Sequence, residues 1–299
     1  MAPYVATLIS SRSMPSVSDA LVSIAMQELP KGRSAVILEP QVAADLYFDA
    51  ENDADADSFH AAILSALKGS PIDIIVQRVE RRQKKLLIAD MDSTMIEQEC
   101  IDELADFVGL KDQVSAITER AMRGELPFEP ALRERVALLK GLDVGVIDKI
   151  ITERITFTPG AQTLVKTMRA KGAYTALVSG GFTLFTGPIA SKIGFHENRA
   201  NRLVIDDDKL SGDVAEPILG KRAKYDAIVE LRETFSLSHA DTLAIGDGAN
   251  DLDMIKEAGL GVAFHAKPAV SAAASAWLDH ADLTALLYAQ GYPMESWVS

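Results

Sequence analysis

The chain of 299 residues has one cysteine, Cys100. It therefore forms no disulfide within itself, and a reducing cytoplasm is the expected location. No apolar run approaches the ~18 residues of a membrane span. The opening MAPYVATLISSRSMPS lacks the basic start and long apolar stretch of a secretory leader. Positive charge is scarce: 30 Lys and Arg stand against 43 Asp and Glu, a formal net charge of −13. So acidic a chain argues against broad electrostatic binding to nucleic acid or an anionic membrane, and an anionic substrate has to be held by local positive charge. Aromatic residues make up 6% and form no stacking stripe for nucleic acid. Neither G-x-x-x-x-G-K-[ST] nor G-x-G-x-x-G occurs, so nucleoside-triphosphate and dinucleotide folds lose support. His60, His196, His239, His265 and His280 are scattered without metal-ligand spacing and read as structural or surface residues. There is no internal repeat and no low-complexity tract.

What remains is an ordinary globular composition, 48% hydrophobic and 24% charged, long enough for two folded domains. In the first 80 residues, Pro3–Ile9, Ser34–Glu39, Ala43–Phe48 and Ile72–Val79 have the make-up of strands. Val17–Leu29 and Ser58–Leu67 have helical apolar spacing. The order β-α-β-β-α-β predicts a small ferredoxin-like α+β domain over residues 1–80, with no cluster of catalytic residue types. The acidic stretch Asp49–Asp57 reads as a solvated loop. Val79–Lys85, VERRQKK, reads as a charged linker, so the remainder, 81–299, is expected to stand as a separable core.

Beyond it the pattern changes. Lys85–Asp90, Tyr174–Ser179, Thr242–Asp247 and Leu260–Phe264 are apolar runs of strand length separated by helical segments. Such runs fit buried parallel strands of a Rossmann-like α/β sheet, and three of the four end in polar, loop-forming residues. Ligands in such sheets bind at the carboxyl ends of strands. About 80 residues separate the first two runs, more than one crossover helix needs. Glu97–Val108, Lys111–Met122, Glu129–Lys140 and Asp143–Ile151 read as helices, which predicts a helical cap inserted at about 97–157. Arg202–Ile205 and Lys209–Val214 flank Asp206–Asp208 as a small hairpin.

The chemistry concentrates at the strand ends. Asp90 and Asp92 are two carboxylates at i and i+2, and close like charges need a cation or a shared proton to coexist. Mg²⁺, which takes a few carboxylates plus water and phosphate oxygens, suits them. Gly246–Asp251 adds acids at a second strand end. Ser179-Gly180-Gly181 ends a third and is expected to open a helix, where a hydroxyl and free N–H groups can bind phosphate. Lys224, on a helix leading to the Asp247 strand, supplies the point charge an anion needs.

Asp90–Thr94, Ser179–Gly180, Lys224 and Gly246–Asp251 resemble the four motifs of the haloacid dehalogenase superfamily of phosphatases. The likeness narrows to the phosphoserine phosphatase subfamily. It does so on Asp90–Ile96 with Glu99, on the cap segments Met122–Phe128 and Leu132–Val136, on Val178–Phe182 and on Gly246–Asp251, and it covers about residues 85–290. The first 80 residues look like the regulatory-type domain of some bacterial members.

The resemblance implies Asp90 as nucleophile, forming an aspartyl-phosphate, and Asp92 as general acid and then base. It implies Mg²⁺ held by the side chains of Asp90 and Asp247 and the backbone carbonyl of Asp92, with Asp251 in support. Ser179, the Gly180 N–H and Lys224 would hold the phosphoryl oxygens. At the amino-acid end, Glu99 would take the ammonium and Arg135 the carboxylate. Phe128 would close the site, and Asn250 would orient the substrate or the phosphate loop. The expected substrate is a small phosphomonoester, O-phospho-L-serine first and phosphohomoserine or phosphothreonine as alternatives. A second reading is an amino-acid-binding sensor with a vestigial phosphatase half. The N-terminal region is open to serine binding or to dimerisation, which leaves a homodimer among the expected states.

Overall fold

A computed structural model describes residues 2–30, 32–51, 56–122 and 125–299. The middle of the acidic stretch, 52–55, and Arg123 and Gly124 of the cap motif lie outside the described residues. The strands are β1 (Ala2–Ile9), β2 (Gly32–Glu39), β3 (Ala43–Ala50), β4 (Asp73–Arg78), β5 (Leu86–Ala89), β6 (Tyr174–Phe182), β7 (Glu197–Asp206), β8 (Lys209–Ala215), β9 (Thr242–Gly246), β10 (Leu260–Phe264) and β11 (Ala276–Leu278). The helices are α1 (Asp19–Gln27), α2 (Ala56–Ala66), α3 (Cys100–Phe107), α4 (Lys111–Met122), α5 (Phe128–Ala137), α6 (Gly145–Glu153), α7 (Ala161–Ala170), α8 (Thr183–Ile193), α9 (Lys221–Thr234), α10 (Leu252–Glu257), α11 (Pro268–Ser271) and α12 (Ala285–Ala289).

Among the described residues these strands form two sheets. The larger has the order β11-β10-β9-β5-β6-β7-β8 and is parallel except for the β7–β8 hairpin. Its central strands are apolar and buried throughout because both faces are covered. The period of two shows in β5: Leu87 and Ala89 pack into the core on one face, Leu86 and Ile88 against α9 and α10 on the other. From β5 the chain builds outward first through β6 and β7, then returns through α9 to place β9 on β5's other side. The carboxyl end of β5 is therefore the switch point, where a crevice opens in such sheets. The short β11 left no mark in the sequence pattern, because three residues are too few for a period.

Helices α3–α6 form an insertion between β5 and β6. Its entering and leaving segments pair: Glu97 N–H donates to Thr156 O, and Thr158 N–H to Met95 O. The α5–α6 turn is tied to the β7–β8 hairpin, with Gly141 N–H donating to Leu210 O and Leu210 N–H to Leu142 O.

The smaller sheet has the order β2-β3-β1-β4, antiparallel throughout. One face packs Tyr4, Leu8, Leu46 and Phe48 with residues of α1 and α2. The opposite face carries the alternate residues Thr7, Asp45 and Gln77, all buried.

The charged segment after β4 is not a free tether. Val79–Arg81 is a single 3₁₀ turn, and Arg82 and Lys84 are buried. All the guanidinium's donors are engaged: two oxygens of Asp45, Tyr47 OH, Ala289 O and Tyr288 O accept them at 2.8–3.1 Å. Gly291, at φ +74°, keeps that space open, since a Cβ there would lie 2.9 Å from the guanidinium. Asp73 accepts backbone N–H groups from Asp279, His280 and Ala281. Ile9 and Ile75 of the small sheet, with Val42 in the turn before β3, enter the core of the large one.

Candidate active site

Asp90 lies just past β5 and is 5% exposed. The ladder continues into it, Asp90 N–H donating to Ile245 O, so its position follows from the sheet register. Asp247 lies just past β9, the neighbouring strand. Asp251, fully buried, closes the loop that begins there. Oxygens of Asp90, Asp247 and Asp251 all lie within 4.8 Å of one another. Gly246 permits this, since a Cβ there would fall 2.3 Å from the Asp251 carboxyl carbon. Lys224, from the first turns of α9, is 2.7 Å from Asp90 Oδ1 and 2.6 Å from Asp251 Oδ1. The other Asp251 oxygen accepts Gly248 N–H, and Thr94 Oγ1 donates to Asp247.

Asp92 points elsewhere. One of its oxygens accepts Cys100 N–H at 2.9 Å, at the start of α3, and the other accepts Ser179 Oγ at 3.2 Å. Its carboxylate is thus outside the three-acid cluster and faces the Ser179 side.

Ser179 sits in a bulge. Val178 pairs with Arg199 and Phe182 with Asn201, so residues 179–181 stand against the single residue Ala200. The strand runs on to Phe182 and α8 begins at Thr183. The expectation that Ser179-Gly180-Gly181 opens a helix is therefore corrected. Gly181 N–H bonds Ser179 Oγ rather than remaining free, and the groups offered to an anion belong to a strand bulge. Gly181 also lets the chain pass within 3.1 Å of Asp92 Oδ2, measured from where a Cβ would be.

The electrostatics of the cluster are unbalanced. Burial, then the Asp251 charge, raise Asp90 well above the usual carboxylate range, against the pull of Lys224. Burial likewise raises Asp92, although the Cys100 N–H and Lys224 oppose it. Burial and Asp251 push Asp247 up to about 6. Burial alone would lower the Lys224 ammonium, but Asp251 and Asp90 outweigh it and leave it raised. Three clustered carboxylates outnumber one ammonium, with Asp92 on the Ser179 side, and hard oxygen donors in surplus fit a divalent cation such as Mg²⁺.

The insertion brings the remaining candidates over the crevice. Glu99 N-caps α3, and its carboxylate accepts Ser93 Oγ at 2.6 Å. It reaches the surface yet is recessed among protein groups, and this burial, then Asp92, push it up to about 7. Arg135 on α5 is half-buried and spends one donor on Ala131 O. Burial lowers it, and the nearby Asp102 and Glu99 charges act the other way. The Phe128 ring spans the site, lying 3.5 Å from a Cβ placed on Gly180 and 3.4 Å from one on Gly220. Asn250 belongs to the loop between β9 and α10 rather than to the insertion; it is exposed and folds its carboxamide back on Gly248.

Sequence reasoning missed the Cys100 N–H, Thr94, Gly220 and Asn201. A backbone donor has no residue signature. Asn201 lies inside a strand, where a polar residue reads as solvent-facing; it is 1% exposed.

Residues 87–256 match the family model of the haloacid dehalogenase-like hydrolases. The chain is 41% identical over 206 residues to a phosphoserine phosphatase of Methanocaldococcus jannaschii, a match covering 69% of this chain and 97% of that protein. It is also 41% identical over 231 residues to a phosphoserine phosphatase of Streptomyces coelicolor, covering 77% of this chain and 56% of that longer protein. Among solved structures, a haloacid dehalogenase family hydrolase of Salmonella enterica serovar Typhi aligns with a TM-score of 0.82 at 26% identity. That alignment covers 95% of this chain and 98% of the other.

Proposed function

The chain belongs to the haloacid dehalogenase-like hydrolases, among their phosphoserine phosphatases, and from that premise we propose that it hydrolyses O-phospho-L-serine to L-serine and phosphate through an aspartyl-phosphate, serving L-serine biosynthesis. The observation that carries the reading is the Asp90 carboxylate at the switch point, held beside Lys224, Asp247 and Asp251.

Asp90 attacks phosphorus through a carboxylate oxygen, and the serine oxygen leaves with a proton from Asp92. Burial favours the protonated form of Asp92 that this step needs. Asp92, now ionised, takes a proton from the water that attacks the phosphoaspartate, and Asp90 is regenerated. Ser179 Oγ, which hydrogen-bonds Asp92 here, turns with the Gly180 N–H and Lys224 to the phosphoryl oxygens. The residues that would hold Mg²⁺ are Asp90, Asp247 and the Asp92 carbonyl, with Asp251 steadying Lys224. Bound there, the ion neutralises charge on the transferring group.

Helices α3–α6 act as the cap. Glu99 reads the ammonium and Arg135 the carboxylate, and Phe128 excludes water by sitting on Gly180 and Gly220. We take residues 1–80 as a ferredoxin-like domain with a regulatory role; the antiparallel order β2-β3-β1-β4 supports that architecture. The test is phosphate release from phosphoserine, phosphothreonine, phosphohomoserine and para-nitrophenyl phosphate, with Mg²⁺ and with chelator. Phosphoserine should be preferred and chelation should abolish turnover. Equal rates on all four substrates would remove the amino-acid specificity, and turnover under chelation would remove the metal.

A further inference from the structure

The two groups expected to hold a phosphoryl group come from different elements. Ser179 and Gly180 ride on the β6 bulge, and Lys224 on α9, which begins after Gly220. Their separation has to be set by something, and no backbone ladder joins the two segments. Asn201, on β7, stands between them. Its Nδ2 donates to Gly180 O at 2.8 Å and to Leu219 O at 3.0 Å, and its Oδ1 accepts Leu219 N–H at 2.7 Å. Both amide protons and the carbonyl are used, in a side chain that is fully buried.

The bonds act on orientation as well as distance. The peptide unit between Gly180 and Gly181 is gripped at both ends, its C=O by Asn201 and its N–H by Ser179 Oγ. The peptide units on either side of Leu219 are gripped by Asn201 as well. That leaves Gly220 in place as N-cap of α9, with Lys224 one turn on. The Phe128 ring rests on both Gly180 and Gly220, the two glycines that flank the clamp.

We propose that Asn201 is a positioning residue: its carboxamide clamps the β6 bulge to the entrance of α9, setting the phosphate-holding groups in register and levelling the seat on which Phe128 closes. This deepens the phosphatase reading and rests on it. The clamp touches the phosphate end only, so it makes no distinction between substrates that differ at their other end.

The test compares Asn201→Asp and Asn201→Ser with the wild-type full chain. Asp keeps the shape and an acceptor for Leu219 N–H but turns its second carboxylate oxygen toward two carbonyls. Ser leaves room for water and introduces no charge, so at least one variant should fold. Three quantities are read on folded protein: kcat/KM for phosphoserine, kcat/KM for para-nitrophenyl phosphate, and calorimetric affinity for orthovanadate as a phosphate mimic. Both efficiencies should fall by a similar factor of about 100, the usual consequence of misplacing binding groups by an ångström. Vanadate affinity should fall with them. A variant with lowered Tm but unchanged efficiencies and vanadate affinity would make Asn201 merely structural and overturn the proposal. A loss confined to phosphoserine would overturn it too, by placing Asn201 at the amino-acid end. If the wild type turned over neither substrate, the phosphatase reading would fail. The vanadate comparison would then still decide the clamp, unchanged affinity overturning it and reduced affinity supporting it.

Discussion

Two places in this molecule bury charge, and they are built in opposite ways. Between the two sheets, Arg82 meets Asp45 through two oxygens and spends every remaining donor on Tyr47 and two backbone carbonyls, while Asp73 collects three N–H groups. The Arg82–Asp45 pair there is matched charge for charge, and the Asp73 carboxylate has its lone pairs taken up by backbone N–H groups, so no ligand is required to complete it. At the carboxyl end of β5, Asp90, Asp247 and Asp251 cluster within 4.8 Å, and among the described residues Lys224 is the cation paired with them, through Asp90 and Asp251. That surplus opposes folding and is tolerated because the sheet register and the glycines at 246 and 181 hold the acids where they are. Paired burial fixes how the two sheets sit; a surplus of buried carboxylates fits a divalent cation.

Four measurements would break or sharpen this contrast. The largest effect is expected from Asp90→Asn, which keeps the shape of the side chain and removes its nucleophilicity. Turnover should fall at least ~10⁴-fold, with no base-labile phosphoenzyme and with folding intact, since the change relieves rather than creates imbalance. Near-normal turnover would end the covalent mechanism.

Next comes Arg82→Met at the junction. Leaving Asp45 buried without its partner should cost about 3–5 kcal/mol of stability, read as a lower midpoint in urea. The kcat of the folded enzyme should stay near wild type. A protein of unchanged stability would show that the junction is incidental. The same geometry argues that a fragment beginning near residue 82 loses Ile9, Val42, Asp45 and Ile75 from its core contacts, so it should be poorly folded rather than an independent enzyme.

A smaller effect is expected from Arg135→Ala. Loss of a charge-assisted contact is worth about 2–3 kcal/mol, a factor of roughly 30–150 in kcat/KM for phosphoserine. Para-nitrophenyl phosphate has no carboxylate and should be affected far less. An unchanged ratio of the two efficiencies would detach Arg135 from the amino-acid end.

The smallest is a pH effect in chelated protein. Asp247 rises from its ordinary value near 3.8 to about 6 on folding. The folded state therefore binds a proton more tightly than the unfolded state does. Its contribution is fully present below the unfolded value, and stability falls as pH rises from about 4 to about 6. Thermal melts of chelated wild type should show this decline, Asp247→Asn should make it shallower, leaving the share of the other raised carboxyls, and Mg²⁺ should stabilise only the wild type appreciably above pH 6. Parallel melting curves for the two proteins would remove Asp247 from the charge imbalance.

The part of the site legible in advance was the part written locally. Buried parallel strands need unbroken apolar runs, and an acid or Ser-Gly-Gly ending such a run marks the crevice; LLIAD, TLAIGD and YTALVSGG could be read that way because strand, end and functional group are contiguous. The hairpin around Asp206–Asp208 was legible for the same reason, with Asp207 and Asp208 at positive φ in its turn. Where Ser179 was misjudged, as the start of a helix, the cause was a bulge set by β7, a strand whose register the local sequence does not carry.

Contacts across long separations left no trace in the residue pattern. Arg82 is one charge in a seven-residue charged linker until Asp45, 37 positions earlier, and Ala289, 207 positions later, are brought to it. Asn201, just before the predicted hairpin strand Arg202–Ile205, carries no signal until the bulge and the α9 entrance close around its amide. Apolar periodicity reports which face of an element is buried, because burial of carbon is non-directional and repeats with the backbone. A buried hydrogen bond is directional and happens once. Its partners are chosen by topology, so pairing and alignment, at the Arg82 junction and between the β6 bulge and the α9 entrance alike, exist only after the chain has folded.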